Sequence, residues 1–223
     1  MNAFFPWDLG IIPRYFPVFS HAALYTLYIT TFGIITGVVL GLIAAFGRIS
    51  RHRVFSTLAG IYIFLIRGTP LLLQLFIIYY GLTSIVTIPP FPSAILALGI
   101  HNGAYIAEIF RGSIQSIHYG QMEAARSLGM PYRKAMRRII LPQAFKRAVP
   151  SLGNQFIIAL KDSSLASTIA VPELLLRGRQ LGASSFRYME MLLTVGLWYL
   201  LMTSVLTFLI RRTENKLKVS DHD

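Results

Sequence analysis

Two long stretches without a charged residue dominate this sequence. No Lys, Arg, Asp or Glu occurs between residues 15 and 47, or in the 40 residues from 68 to 107. A helix of about 20 apolar residues crosses the roughly 30 Å hydrocarbon core of a bilayer, so the first stretch is long enough for one span and the second for two. The apolar runs are continuous rather than alternating, which favours helices over barrel strands. The chain is therefore predicted to be an all-α integral membrane protein.

Five spans account for the apolar pattern. The turn-rich segment 87–92 divides the second charge-free stretch, and two later apolar segments complete the set. The predicted spans cover about residues 19–46, 55–82, 92–112, 149–170 and 189–210. Residues 1–18 are predicted to lie outside the membrane, residues 19–212 to form one domain, and residues 213–223 to form a tail on the opposite side.

The basic residues collect on one side of this five-span arrangement. The formal net charge is +12, with fifteen Lys and Arg in the segments 48–53, 111–147 and 211–218. The other side has four, which are Arg14, Arg177, Arg179 and Arg187. An excess of Lys and Arg marks the cytoplasmic side, so the N-terminus is predicted outside and the C-terminus in the cytoplasm. Topology explains most of the basic excess, and nucleic acid is not expected as a partner. Cysteine is absent from the sequence, which excludes disulfides and thiolate metal sites.

Small residues recur at four-residue spacing in two predicted spans. They are Gly33, Gly37, Gly41 and Ala45 in the first span and Gly99, Gly103 and Ala107 in the third. Such a smooth face lets the backbone of a neighbouring helix approach closely. The neighbour is either another helix of the same chain or a helix of a second chain, and the pattern alone does not choose.

The segment 122–150 is unusual in a chain this apolar, because it contains eight of the 30 charged residues. A short helix is predicted over 121–128, with Glu123 near its start, where the helix dipole favours an acidic side chain. Gly129 and Pro131 are predicted to end this helix and to begin a second, basic one. Pro142 is predicted to halt or kink the second helix before the fourth span. The segment is either a rigid two-helix surface for a partner or an amphipathic patch that binds lipid.

The spacing within this segment carries a resemblance. The pattern is E-A-A, three residues, Gly, nine residues, and then I-x-L-P. Its residues here are Glu123, Ala124, Ala125, Gly129, Ile139, Leu141 and Pro142. The pattern resembles, without departure, the coupling-loop signature of permease subunits of binding-protein-dependent ABC importers.

Three further segments are similar to the polar amino acid branch of that family. They are RGTPLLLQLF at 67–76, AYIAEIFRGSI at 104–114 and LKDSSLASTIAVPEL at 160–174. Within the branch, FIIYYGL and TIAVPEL are most like the cystine-type permeases. The resemblance extends over roughly residues 18–212.

The resemblance implies a transporter subunit in the bacterial cytoplasmic membrane. Two short helices at about 120–142 would dock on a separate ATPase, with Glu123 as contact and Gly129 as hinge. The matching coupling residues are Glu123, Ala124, Ala125, Gly129, Met130, Arg133, Leu141 and Pro142. The implied partners are two ABC ATPase subunits, a second copy or a homologous permease, an extracytoplasmic solute-binding protein and an amino acid. The chain has no G-x-x-x-x-G-K-[ST] loop, so ATP and Mg are expected on the partner ATPase, with no cofactor or metal in this chain.

Two charged residues interrupt the fourth predicted span. Lys161 and Asp162 follow Pro150 by 11 and 12 residues, which is roughly 17 Å along a helix and near mid-bilayer. Charges at that depth are costly and suggest function. Asp162 is suited to an α-ammonium, and Lys161 or a hydroxyl to an α-carboxylate. The candidate substrate-binding residues are Asn154, Gln155, Lys161, Asp162, Ser163, Ser164 and Arg67.

A structural explanation of these charges stays open. In it, Asp162 pairs with Arg67, or Lys161 pairs with Glu108, and the pair ties two spans together. Because Pro70 removes a backbone donor, the RGTP stretch is predicted to break the second span beside a cavity. Arg67 there is either a carboxylate contact or a buried structural cation.

Other polar residues have weaker assignments. Glu108 and Arg111, three residues apart, are predicted to brace the cytoplasmic end of the third span. His101 either faces the cavity with Asn102 or packs among apolar neighbours. The segment 171–188 is predicted to form a short outer helix and loop, whose arginines either are solvated or meet an acidic rim of a binding protein.

The function predicted from the sequence is therefore ATP-driven import of a polar L-amino acid by alternating access. The positive charges of Lys161 and Arg67 balance the negative charges of Asp162 and Glu108, which favours a neutral polar substrate. The resemblance to the cystine-type permeases makes cystine one candidate. A basic or acidic amino acid or an opine is the alternative within the family. The competing classes are an ATP-independent solute channel, an exporter subunit and a membrane scaffold.

Overall fold

The computed structural model describes residues 7–50 and 52–217, and this part of the chain is helical without a strand. Residues 1–6, Arg51 and 218–223, which belong to the predicted outer segment, basic loop and tail, lie outside the described residues. The α-helices are α1 (Ile12–Tyr15), α2 (Ser20–Ile49), α3 (Arg53–Arg67), α4 (Leu71–Phe76), α5 (Pro90–Gln115), α6 (Tyr119–Ser127), α7 (Tyr132–Ala135), α8 (Leu141–Asp162), α9 (Leu174–Ser185) and α10 (Tyr188–Leu217).

Shorter turns connect several of these helices. Two π-helical turns continue α4 and α7, and 3₁₀ turns flank α1 and follow α8. The π turns are Ile77–Gly81 and Met136–Ile140, and the 3₁₀ turns are Leu9–Ile11, Phe16–Phe19 and Ser163–Ile169.

Three of the described helices are long and apolar enough to cross a bilayer: α5, α10, and α2 together with the turns before it. A fourth candidate is a bent pair, Arg53–Arg67 and Leu71–Gly81, whose axes meet at 104°. The predicted fourth span, 149–170, falls on the end of α8 and the following 3₁₀ turn. Because α8 carries four charged residues, its length and composition alone do not mark it as a span, and the number five remains a prediction. Helix α10 continues past 210, so the predicted tail begins inside it.

The two glycine stripes face each other inside one chain. A Cβ added at Gly99 would lie 2.6 Å from Thr36 Cγ2, and one added at Gly41 would lie 2.7 Å from Ile106 Cγ2. Contacts this short show that the backbones of α2 and α5 are close neighbours. The stripes are therefore used for packing within the chain and are not a seam between two chains.

A buried carboxylate at the start of α9 joins this helix to α2 and α10. Glu173 is fully buried at the start of α9, where its side chain accepts hydrogen bonds from the N–H groups of Leu175 and Leu176 and from the Tyr199 hydroxyl. Nearby, Thr26 of α2 accepts a hydrogen bond from the backbone N–H that follows Glu173. Burial raises the pKa of Glu173 to about 7, although the three donors act in the opposite direction. This junction fixes α9 against α2 and α10.

Candidate functional site

The break between α3 and α4 is a tight corner closed by one side chain. Pro70 interrupts the helical hydrogen bonds, as predicted, and the carbonyls of Ile66 and Thr69 lose their helical partners. The amide nitrogen of Gln74 donates to both carbonyls, at 2.8 and 3.1 Å. Gln74 is buried, so the freed carbonyls are satisfied within the chain and do not coordinate a ligand. Sequence reasoning missed Gln74, although it is the one polar residue of α4.

His101 holds this corner against α5. Its Nδ1 lies 3.1 Å from Gln74 Oε1, and because an amide oxygen only accepts, Nδ1 must carry the proton. His101 is therefore packed with a polar partner, and the alternative that it faces the cavity stays a prediction. His101 is 11 residues from Pro90 and 14 from Gln115, which places the corner near the middle of α5.

Three charged residues meet beside the corner. Arg111 donates to both carboxylate oxygens of Glu108, at 3.0 and 2.7 Å, so the two residues pair as predicted. Arg67 Nη1 is 3.9 Å from the same carboxylate, and its guanidinium lies 5.2 Å from the centre of the Tyr105 ring. Because Arg111 already holds Glu108 with two bonds, Arg67 is only weakly neutralised. The Arg67 side chain is 44% exposed. It lines a hollow of about 420 Å³, and Arg48 lines the same hollow.

The predicted structural pairs are not formed. Among the described residues, neither Asp162 with Arg67 nor Lys161 with Glu108 is an ion pair. The physical reason is that Arg111 and Arg67 approach Glu108 instead. The structure also gives no contact between Arg67 and the two charges of α8, so it does not join all the predicted substrate residues.

Two of the predicted substrate residues are buried and form hydrogen bonds within the chain. Gln155 is buried and donates to the Asn102 side chain at 2.8 Å. Ser163 is fully buried and donates to the Leu160 carbonyl at 2.7 Å. Neither is presented to a ligand, because helical packing turns both toward neighbouring helices.

The remaining polar residues of α8 do reach the surface. Asn154 and Lys161 are exposed, whereas Asp162 and Ser164 are half-buried. Ser151 is also exposed, and these three exposed positions share one face of the helix, since they are spaced at three and seven residues. A polar, exposed face at this position is suited to a water-filled path rather than to hydrocarbon.

The predicted reversal after α6 is present. Gly129 has φ +79°, and the N–H groups of Gly129 and Met130 donate to the carbonyls of Arg126 and Ala125 at 3.0 and 3.1 Å. This pair of hydrogen bonds is typical of a helix that ends at a left-handed glycine. Glu123 and its neighbour in the sequence motif, Ala124, are exposed, whereas Ala125 is buried. The structure thus presents part of the motif on a small polar surface.

Of the two predicted effects of Pro142, a halt or a kink of the second helix, the halt does not occur. Helix α7 continues through the π turn Met136–Ile140 into α8, so helical structure is unbroken from 132 to 162. A proline ring would clash with the carbonyl four residues before it in a regular helix. The wider π turn just before Pro142 displaces that carbonyl and lets the helix continue. Leu141 is half-buried at this junction.

On the opposite end of the bundle, one of the three predicted docking arginines is already paired. Arg187 donates to Asp8 at 3.1 Å, and the Asp8 backbone N–H donates to Glu190. Arg179 is exposed and Arg177 is half-buried. Arg187 thus fastens the N-terminal turns to the start of α10.

The family model for the binding-protein-dependent transport system inner membrane component matches residues 37–219. The chain belongs to this family. The permease is 40% identical over 216 residues to the glutamine transport system permease of Escherichia coli K12, covering 96% of this chain and 99% of that protein. It is 45% identical over 179 residues to the L-cystine transport system permease of Bacillus subtilis strain 168, covering 80% and 76% respectively.

Solved structures agree with this assignment. A crystal structure of an amino acid ABC transporter with histidines matches the permease with a TM-score of 0.90 and 38% identity, over 95% of this chain and 100% of that one. The inward-facing MetNI methionine ABC transporter shares the fold, with a TM-score of 0.72 and 20% identity. The resemblance read from the coupling motif and the expected all-α permease fold are both confirmed.

Proposed function

We propose that this permease is the membrane subunit of an ATP-driven importer for a polar L-amino acid, working by alternating access. The observation that carries the proposal is the unbroken helical run from Tyr132, just after the Gly129 turn, to Lys161 and Asp162. A rigid run of this kind connects an exposed surface outside the membrane to charges inside it. A displacement at the surface is thereby transmitted to the candidate substrate site.

The substrate is proposed to be a neutral polar amino acid, with cystine as the first candidate. Asp162 and Lys161 would bind the α-ammonium and α-carboxylate, helped by Asn154 and Ser164, and Arg67 would offer a second carboxylate contact. The two opposite charges of α8 suit a zwitterion, and the weakly neutralised Arg67 suits an anion. The relatives transport glutamine, cystine and arginine by name, which agrees with a shared α-amino acid site and a variable side-chain pocket.

A second permease subunit is proposed to cover the α3–α4 corner. Arg67 and the residues after it, Gly68, Thr69 and Pro70, are all exposed, and His101 places them near the middle of α5. Irregular backbone does not face lipid hydrocarbon; it is buried in protein or lines a water-filled cavity. One chain leaves this corner open, so a second copy, or a homologous permease, would form the opposite wall.

The remaining partners follow from the coupling surface and the charge distribution. Two ATPase subunits would bind the surface that carries Glu123, Ala124 and Met130, with ATP and Mg held by those subunits. A solute-binding protein would dock at the opposite end, where Arg179 is exposed. The positive-inside rule puts the coupling surface in the cytoplasm and the N-terminus outside.

Reconstitution tests this function. The permease is co-purified with its ATPase and binding protein, and ATP-dependent uptake of a panel of labelled amino acids is measured in proteoliposomes. Uptake of one or a few polar amino acids, together with solute-stimulated ATP hydrolysis, is the expected result. Uptake that persists without ATP would instead indicate a channel, and uptake restricted to arginine or glutamate would refute the neutral substrate.

A further inference from the structure

An apolar cleft lies apart from the candidate transport site, at the end of the bundle that carries the basic residues. It has a volume of about 650 Å³ and lies between the last turn of α2, the end of α5 and the π turn before α8. Its apolar lining comes from Phe46, Ile49, Ile114, Met136 and Leu141. Cavities of roughly 300–1,000 Å³ hold small organic ligands, so the cleft is large enough to hold an extended apolar chain.

Positive charge stands at the edge of this cleft. Arg133 lines the cleft and also a neighbouring hollow of about 480 Å³, which it shares with Lys134, Arg137 and Arg138. All four side chains are exposed, and none forms an ion pair with another described residue. Four uncompensated cations in six residues favour an anionic ligand at this position.

The cleft is placed where the membrane surface is expected. Helix α2 is a candidate span, and its last turns expose Ile43 and Phe46, at 65% and 52%. Arg147 of α8 donates to the Ser116 carbonyl, just past the end of α5, so α8 starts beside the end of that span. The cleft thus opens beside exposed apolar side chains of a candidate span, with its cations at the polar edge.

We propose that this cleft binds an anionic phospholipid, with an acyl chain between α2 and the π turn and the phosphate near Arg133 and Arg137. The pairing of an apolar cleft with unpaired cations at its mouth carries the proposal. An acidic protein surface would satisfy the cations but would leave the apolar cleft empty. Arg133 is thereby assigned to lipid rather than to the ATPase surface. The site does not depend on which solute the permease transports.

Lipid retention tests the site directly. The full transporter is assembled in nanodiscs that contain phosphatidylcholine with increasing phosphatidylglycerol, and the retained phosphatidylglycerol is counted by native mass spectrometry. A juxtamembrane cation contributes about 1 kcal/mol to binding an anionic leaflet, or about fivefold. The double variant Arg133→Gln with Arg137→Gln is therefore expected to bind phosphatidylglycerol about 30-fold more weakly. Met136→Phe, which fills the cleft without changing charge, is expected to weaken binding as well.

The matched control removes the same charge elsewhere at the same end of the bundle. Arg211→Gln with Arg212→Gln, at the end of α10, is expected to leave the retained lipid unchanged. Equal loss in the control and the test variant would mean diffuse surface charge and would overturn the proposal. So would wild-type retention in the double variant, or a double variant whose only defect is loss of the ATPase subunit. Uptake of the amino acid is measured separately, so a failed lipid site and a failed transport function give different results.

Discussion

Replacing Gly129 tests whether the turn after α6 transmits work from the ATPase. Gly129 has φ +79°, in the left-handed region, and a Cβ there would meet nothing within 4 Å. Alanine therefore adds no steric clash, and its whole cost comes from the backbone. A left-handed conformation costs an L-residue about 1–2 kcal/mol, which shifts the balance between this turn and its alternatives by roughly 5- to 30-fold.

The substitutions form a graded series. Asparagine tolerates the left-handed region better than alanine does, so Gly129→Asn is expected to be the mildest variant. Gly129→Pro is expected to be the most severe, because proline cannot adopt φ +79° and removes the N–H that donates to Arg126. Gly112 provides the control: a Cβ there also meets nothing within 4 Å, but its backbone has no positive φ.

The assay is the number of ATP molecules hydrolysed per amino acid imported in proteoliposomes. The ratio should rise in the order Asn, Ala, Pro at position 129 and stay at the wild-type value in Gly112→Ala. Co-purification of the ATPase shows whether each variant still assembles. A Gly129→Pro transporter that assembles and imports at the wild-type ratio would refute the idea that this turn couples hydrolysis to transport.

Three further predictions concern the membrane domain. Asp162→Ala should abolish uptake while the complex still assembles, and wild-type uptake in labelled-substrate assays would exclude Asp162 as an essential group. Gly41→Ala should lower the thermal midpoint relative to Gly196→Ala, because only the first Cβ clashes, with an overpacking cost of about 1–3 kcal/mol; equal midpoints in fluorescence-detected melting would contradict the α2–α5 packing. Because the pKa of Glu173 is raised from 4.5 to about 7 in the folded chain, the folded state binds this proton more tightly. Its stabilising effect is greatest below pH 4.5 and is lost as the pH rises to 7, by about 3 kcal/mol at most. Glu173→Gln should flatten the dependence of the melting midpoint on pH over this window, and an unchanged slope would contradict the assignment.

The sequence predicted the long helices well because hydrocarbon leaves few alternatives. An uncharged run of 33 residues from 15 to 47 has to be helical if it spans lipid, and α2 is the result. The Gly129 turn was equally predictable, since a left-handed residue closes many helices and glycine adopts that conformation without strain. In both cases, a local rule and the larger fold require the same structure.

The sequence was less informative at positions where contacts with neighbouring segments determine the role of a residue. Asn154 and Gln155 are adjacent polar residues with equal claim on a ligand, but only the position of α5 shows that Gln155 bonds to Asn102. The continuation of the helix through Pro142 could not be predicted, because the rule for proline takes no account of a π turn upstream. Gln74 was missed because the two carbonyls to which its side chain donates become free only once the corner has formed.

The unbroken helical run from 132 to 162 limits how this gene can change. At 1.5 Å per residue the run is roughly 46 Å long, and each residue turns the helix by about 100°. One codon inserted or deleted before Asn154 would rotate the Asn154–Lys161 face by more than a quarter turn relative to the Gly129 turn. The spacing between the Gly129 turn and Lys161 should therefore tolerate many substitutions but almost no change in length.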